Sequence, residues 1–337
     1  MDAAVASGIA ARIGEDIPGA LRLAVDLGRS LPLPGEGRTL ERWQALATIA
    51  RVNLTAARVV EAHSDALAIL AESESESESE SESESAAGRQ TGTWGVFAAE
   101  SPTERLEADV APDGTATLTG TKPWCSLAGV LDAALVTAHV GVGRQLFRVE
   151  LRQPSVTALP AERWVARGLR AVPSAPVRFD GASALAVGAP GWYLTRPGFA
   201  WGGMGVAACW HGGARGLADA VRRQAATRPG ELTAMHLGRV DTALHASRAV
   251  LEAAARAIDA GTADGRTGAV LALRVRNVVA DAAERVLQSA AHALGPAPLA
   301  FDAGHAARVA DLEIYLRQHH AERDLATLGT ALLEDER

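Results

Sequence analysis

The spacing of apolar residues changes twice along the chain, and each change predicts a different kind of element. In the first stretch the period is helical. Ile9, Ile13 and Ile17 precede Pro18, and Leu21, Leu23, Val25 and Leu27 precede Gly28. The run LPLPGEG at 31–37 stops regular structure with its prolines and glycines. Thr39 is the expected N-cap of the next helix, with Arg42 where a capping box would carry an acid, so the box is incomplete. From 40 to 70 the helical spacing continues, interrupted near Asn53, which predicts a pair of helices.

From Thr91 to about Val187 short β-prone runs replace that period. LEADVAPDGTATLTGTK places a Pro-Asp-Gly turn at 112–114 between alternating segments, a hairpin signal. ALVTAHV, FRVELR, VTALP and APVRFDG follow closely, which predicts a compact antiparallel barrel. Helical spacing returns after Pro197 and persists to the end. The expected fold class is therefore α+β. An N-terminal helical domain (1–71), a linker (72–90), a central antiparallel β-barrel domain (91–195) and a C-terminal helical bundle (196–337) make up the 337 residues.

Composition sharpens the linker. Residues Glu72 to Ser85 alternate Glu and Ser and hold seven glutamates, and without these the remaining acids equal the 33 basic residues. Like charges with no apolar residue among them cannot bury surface, so the tract reads as an extended linker. The net charge of −7, with no basic stripe, argues against a nucleic-acid partner. No apolar run reaches transmembrane length, and the N-terminus lacks the pattern of a signal peptide, so a cytoplasmic protein is expected. Two cysteines, Cys125 and Cys209, without a pairing framework point to a reducing compartment.

Two stretches carry the candidate chemistry: WGVFAAESP at 94–102 and LTGTKPWCSLAG at 118–129. Each is a few β-prone residues closed by turn formers, so each reads as a strand delivering polar groups to one place. Lys122 in the second is the only lysine. By itself it reads as a solvated turn residue. On α-helical spacing, VEAHSDA puts Glu61 and Asp65 on one face and His63 on another. With no second histidine at ligand spacing, no metal site is assigned, and these three read as a polar helix edge, with His63 facing a cleft as the alternative.

The second stretch resembles the G-x-K-x-W-I-T-N segment of the acyl-CoA dehydrogenase family, and the first resembles that family's T-E-P strand. The order of helical, β-rich and helical regions is similar too. In such proteins these strands hold the flavin isoalloxazine. The resemblance implies that Trp124 packs near the ring, that Ser126 replaces a threonine that meets it, and that Cys125 replaces an isoleucine. It also places Ala99 where a threonine bonds the flavin and Glu100 at a matching glutamate, with Phe97 beside them. FAD is the implied cofactor, with FMN or none as alternatives. A small-molecule substrate, acyl-CoA among the candidates, and a homodimer or homotetramer are implied as well.

The family's catalytic base, a glutamate near the C-terminus, corresponds to His319 when Asp311 is set on the family's R-D aspartate. His319 is thus the acid/base candidate. The segment that binds the dinucleotide of a neighbouring FAD reduces here to AHALGPAP at 291–298, with Gly295 alone kept, and its partner segment to Arg228-Pro229-Gly230. The expected function is flavin-dependent α,β-dehydrogenation of an acyl thioester or related substrate. The alternatives are a flavin-dependent monooxygenase of the same fold that uses a histidine, and a cofactor-free scaffold or partner subunit.

Overall fold

The structure, a computed structural model, describes residues 3–13, 15–76, 92–160 and 164–335. Four helices come first: α1 (Ala3–Ile13), α2 (Ile17–Gly28), α3 (Thr39–Val52) and α4 (Leu54–Glu76). Ile17 opens α2 and does not close α1, because Pro18 sits in the first turn, where its missing N–H costs nothing. In α2, Ala20, Leu23, Ala24 and Leu27 form the buried stripe. Thr39 does not act as the N-cap of α3. Its hydroxyl donates to Asp259 Oδ1 at 2.6 Å, and Asp259 also accepts the Thr39 N–H at 3.1 Å, so an acid 220 residues away supplies what the incomplete box lacks.

Helix α4 runs five residues into the Glu-Ser tract. Glu72 accepts the Gly198 N–H at 3.0 Å and pairs with Arg196, so the linker expected from residue 72 begins later in the chain. The part of it from 77 to 90 lies outside the described residues.

Seven strands follow: β1 (Trp94–Phe97), β2 (Leu106–Val110), β3 (Thr115–Ser126), β4 (Ala133–Val140), β5 (Gly143–Glu150), β6 (Val156–Ala158) and β7 (Ser174–Val187). Pairing runs β4-β2-β3-β7-β5 and returns from β5 to β4, which closes a barrel. The hairpin at 112–114 forms as expected, with Gly114 at φ 84°. Strand β1 departs from the antiparallel expectation: it adds to the outside of β4 in parallel, and β2 meets β4 in parallel through one residue pair.

The remainder is helical: α5 (Trp192–Thr195), α6 (Pro197–Thr227), α7 (Glu231–Asp259), α8 (Gly265–Leu294), α9 (Ala297–Phe301), α10 (Ala303–Tyr315), a 3-10 turn (Leu316–Gln318) and α11 (Glu322–Asp335). The glycine-rich start of α6 serves helix packing. A Cβ at Gly212 would lie 2.2 Å from the Ala47 carbonyl oxygen of α3, so only glycine lets the two backbones approach this closely. Among the described residues no helix is long and apolar enough to cross a membrane.

Candidate functional site

A cleft of about 720 Å³ opens where α4, the ends of β1 and β3, the segment 164–174 and the end of α10 converge. Its first wall is made by an irregularity in β3. Pairing with β7 holds to Lys122↔Val177 and resumes at Cys125↔Ala175, leaving Pro123 and Trp124 out of register. Proline has no N–H to give to a ladder, so the strand bulges there. Trp124 takes a left-handed φ of 59° and leaves its side chain 57% exposed at the cleft. A bulky residue held open in that conformation is strained, and such strain is typical of ligand sites. Ser126 lies beside it, its hydroxyl 2.7 Å from that of Ser174. Ala99 and Glu100 complete this wall.

Phe97 and Cys125 do not join it. Both side chains are packed in the barrel core, and the Cys125 thiol lies 3.3 Å from the Lys122 carbonyl, with its pKa raised by burial. Alternation along a strand explains this: Trp124 and Ser126 face one way, so Cys125 faces the other.

Lys122 is not a solvated turn residue. It is 1% exposed, and its Nζ donates to Glu100 Oε1 at 2.7 Å and to Thr137 Oγ1 at 2.9 Å. His139 Nε2 lies 3.2 Å and Arg144 3.5 Å from the same carboxylate. Burial lowers the Lys122 pKa. At Glu100 burial works upward, but the hydrogen bond and charge of Lys122 outweigh it and lower the pKa.

The second wall is α4. Arg58, Glu61, Ala62 and Asp65 fall on one helix stripe and line the cleft. Glu61 pairs with Arg58 at 2.9 Å and accepts the Tyr315 hydroxyl at 3.2 Å. Burial raises the Glu61 pKa, against the charge of Arg58. Asp65 accepts no hydrogen bond among the described residues, and the guanidinium groups that act on it are Arg196, Arg42 and Arg58. Burial raises its pKa too, and the charges of Arg196, Arg42 and Arg58 offset that only in part. Around the cleft floor three guanidinium groups (Arg42, Arg58, Arg196) thus balance three carboxylates (Glu61, Asp65, Glu72). Asp65 is the member whose carboxylate remains available to a ligand.

His63 has no part in this. Its Nδ1 accepts the Trp94 N–H at 3.2 Å, and burial lowers its pKa to about 4. His319 also lies outside the cleft lining. Its Nε2 is 3.1 Å from Asn277 Oδ1, and its ring meets Trp210 edge to face at 6.1 Å. Burial lowers its pKa, and nearby Asp324 works upward without overcoming that. The neighbouring His320 lines the cleft, 3.2 Å from Asp324. Asp311 is structural: it accepts the Leu169 N–H at 2.6 Å and so holds the 164–172 segment against the cleft. Among the described residues no three His, Cys, Asp or Glu side chains gather as a metal site would require.

Solved structures with this arrangement of helices around a barrel include three enzymes. Butyryl-CoA dehydrogenase from Megasphaera elsdenii superposes with a TM-score of 0.78 at 19% identity, covering 99% of this chain and 100% of that one. Dibenzothiophene monooxygenase from Paenibacillus sp. A11-2 gives 0.75 at 17%, covering 99% and 97%. The nitrososynthase from Micromonospora carbonacea var. africana gives 0.75 at 19%, covering 94% and 88%. The fold is the acyl-CoA dehydrogenase fold, helical domain, β-barrel and helical bundle. Residues 189–322 match the family model described as the acyl-CoA dehydrogenase C-terminal domain. No curated protein sequence matches the chain.

Proposed function

We propose that the chain is a flavin-dependent oxidoreductase in which Asp65, not His319, is the acid/base group. The observation that carries this reading is a carboxylate that accepts no hydrogen bond among the described residues, on the wall of the same cleft that presents Trp124 and Ser126. The cleft is large enough for an isoalloxazine with substrate beside it, by the range of about 300–1,000 Å³ common for such sites. The exposed indole supplies a flat apolar face, and the backbone left unpaired by the bulge supplies polar groups for a heterocycle edge. Flavin, when bound, supplies the acceptor for hydride or the route for electrons to oxygen.

The chain's own residues supply the proton chemistry. Burial raises the Asp65 pKa, which makes its carboxyl a better general acid/base than an exposed one. Arg58 and Tyr315 hold Glu61 by a salt bridge and a hydrogen bond, so the less constrained Asp65 is the group free to take a proton from substrate. His320 and Arg317 at the mouth offer donors to an anionic or carbonyl group of the substrate.

For the cofactor, the eroded segments at 228–230 and 291–298 support FMN over FAD, because this chain retains little of the family's adenosine-binding pattern. The dibenzothiophene monooxygenase is FMN-bound in one of its structures. Loss of the C-terminal glutamate base likewise favours oxygen-dependent chemistry over oxidation of an acyl thioester. Asp65→Asn tests the assignment: flavin retention should match the wild type while turnover, assayed as flavin-dependent oxygen uptake with reductant and screened substrates, falls by about 10²-fold or more. Turnover at the wild-type level with Asn at 65 would remove Asp65 from the chemistry.

A further inference from the structure

A second cavity, of about 520 Å³, lies on the face formed by α3, α6 and α7 and shares no lining residue with the flavin cleft. Each helix contributes one stripe to it. Trp43 and Ala47 come from α3, Ala208, His211 and Arg215 from α6, and Leu251 is prominent among those from α7. Spacings of three, four and seven residues put such side chains on one face of a helix. Trp43, Ala47, Ala208 and Leu251 are buried, so the floor is apolar.

The inner rim is cationic and imperfectly neutralised. Asp219 serves two guanidinium groups at once, Arg51 at 2.6 Å and Arg222 at 3.1 Å. Arg248 has Glu252 at 3.8 Å. Arg215 is left over: it makes no hydrogen bond or ion pair among the described residues and is only partly exposed. Burial and the charge of Arg51 lower its pKa, with Arg248 and Arg222 adding to the repulsion and Asp219 opposing it. His211 beside it donates no charge at neutral pH, since burial lowers its pKa to about 4, and its Nδ1 is taken by Ser247 Oγ at 2.6 Å. Asp241 and Glu252 on α7 also border the groove.

A partly buried guanidinium repelled by its neighbours is costly unless an anion meets it. We propose that this groove is a binding site for a small amphipathic oxyanion, a carboxylate or phosphate monoester on a flat apolar body, with the oxyanion on the fork of Arg215 and the body against the half-buried Leu40 and Leu244 of the lining. The fork geometry of a guanidinium suits two oxygens at once, and half-buried leucines leave apolar surface for the body to cover.

Calorimetric titration of the full-length protein with benzoate, phenyl phosphate and the neutral isostere benzamide tests this. At least one of the two anions should bind at a single site, and benzamide should bind at least about tenfold more weakly. Arg215→Gln should weaken the anion at least about tenfold, while Arg215→Lys, which keeps charge but loses the fork, should fall between. The two anions compared with one another tell which headgroup the site prefers, and binding by either supports the assignment. Absence of binding by both, equal binding of benzamide, or affinity unchanged in Arg215→Gln would overturn it. Should Arg215→Gln lose its cooperative melting transition, the comparison of anion with benzamide on the wild type decides alone.

Discussion

At the scale of single residues, the ion pair between Lys122 and Glu100 has two unequal halves. The ammonium is enclosed, and among the described residues it donates to Glu100 and Thr137 alone. The carboxylate is a third exposed and keeps His139 and Arg144 when Lys122 is removed. Glu100→Gln should therefore cost about 3 kcal/mol or more, because it strands a buried charge, whereas Lys122→Met should cost about half as much. Urea denaturation of both variants measures the difference, and equal losses would contradict the asymmetry. Two buried histidines give a pH signature. His63 and His211 are each lowered from 6.5 to about 4 by burial. In both, the unfolded state binds the proton first as pH falls. Stability is then complete above about pH 6.5 and is lost between there and about pH 4, by on the order of 3 kcal/mol per histidine. His63→Asn, whose side-chain oxygen can still accept from the Trp94 N–H, should flatten the melting temperature across that window; an unchanged slope would rule His63 out as its source. Individual residues are legible where local pattern decides them, and Trp124, Ser126, Ala99 and Glu100 line one cleft. Phe97 and Cys125 show the limit, since strand alternation turns their side chains inward. A linear register cannot show that His319 packs against Trp210 and Asn277 while His320 reaches the cleft. The signal for Asp65 is present in its spacing from Glu61, and with Arg58 one turn earlier the three charges trace a stripe along one side of α4. Which side that stripe faces is fixed only by the barrel that packs against it.

At the scale of elements, the junction between α4 and α6 is a tertiary contact that composition conceals. A Glu-Ser repeat carries no sign that its first glutamate differs from the next six. Glu72 differs because α4 continues and delivers it to Arg196, whose side chain is 2% exposed, and to the first turn of α6. Glu72→Ala should cost about 3 kcal/mol by leaving that guanidinium enclosed without its partner. A thermal melt that does not move would show that Arg196 has an alternative counter-charge. The same scale explains Thr39. Helix α3 is capped by Asp259 at the end of α7, so no local box was needed, and none could have been read from the residues around it. The bulge at Pro123–Trp124 is the opposite case: a proline within an alternating strand announces an irregular ladder, and the site is built on that irregularity.

At the scale of the whole molecule, the order of periods along the chain sufficed for the fold, because helical and alternating patterns are local properties that the barrel and bundle preserve. Closure of the barrel through β4 and β5, and the parallel addition of β1, depend on pairings between distant segments and were not readable. That parallel strand matters to function, since β1 carries Val96 and the following Ala98–Glu100 to the cleft, where they meet α4. The groove between α3, α6 and α7 likewise exists only when three stripes from distant helices converge. The central claim is that the cleft below Trp124 holds a flavin. Its most direct test is the near-ultraviolet and visible absorbance spectrum of the purified protein after incubation with FMN or FAD and removal of the excess. The account predicts a retained flavin spectrum, with bands displaced from those of the free cofactor and more FMN kept than FAD. A colourless protein after saturation with either flavin would contradict it.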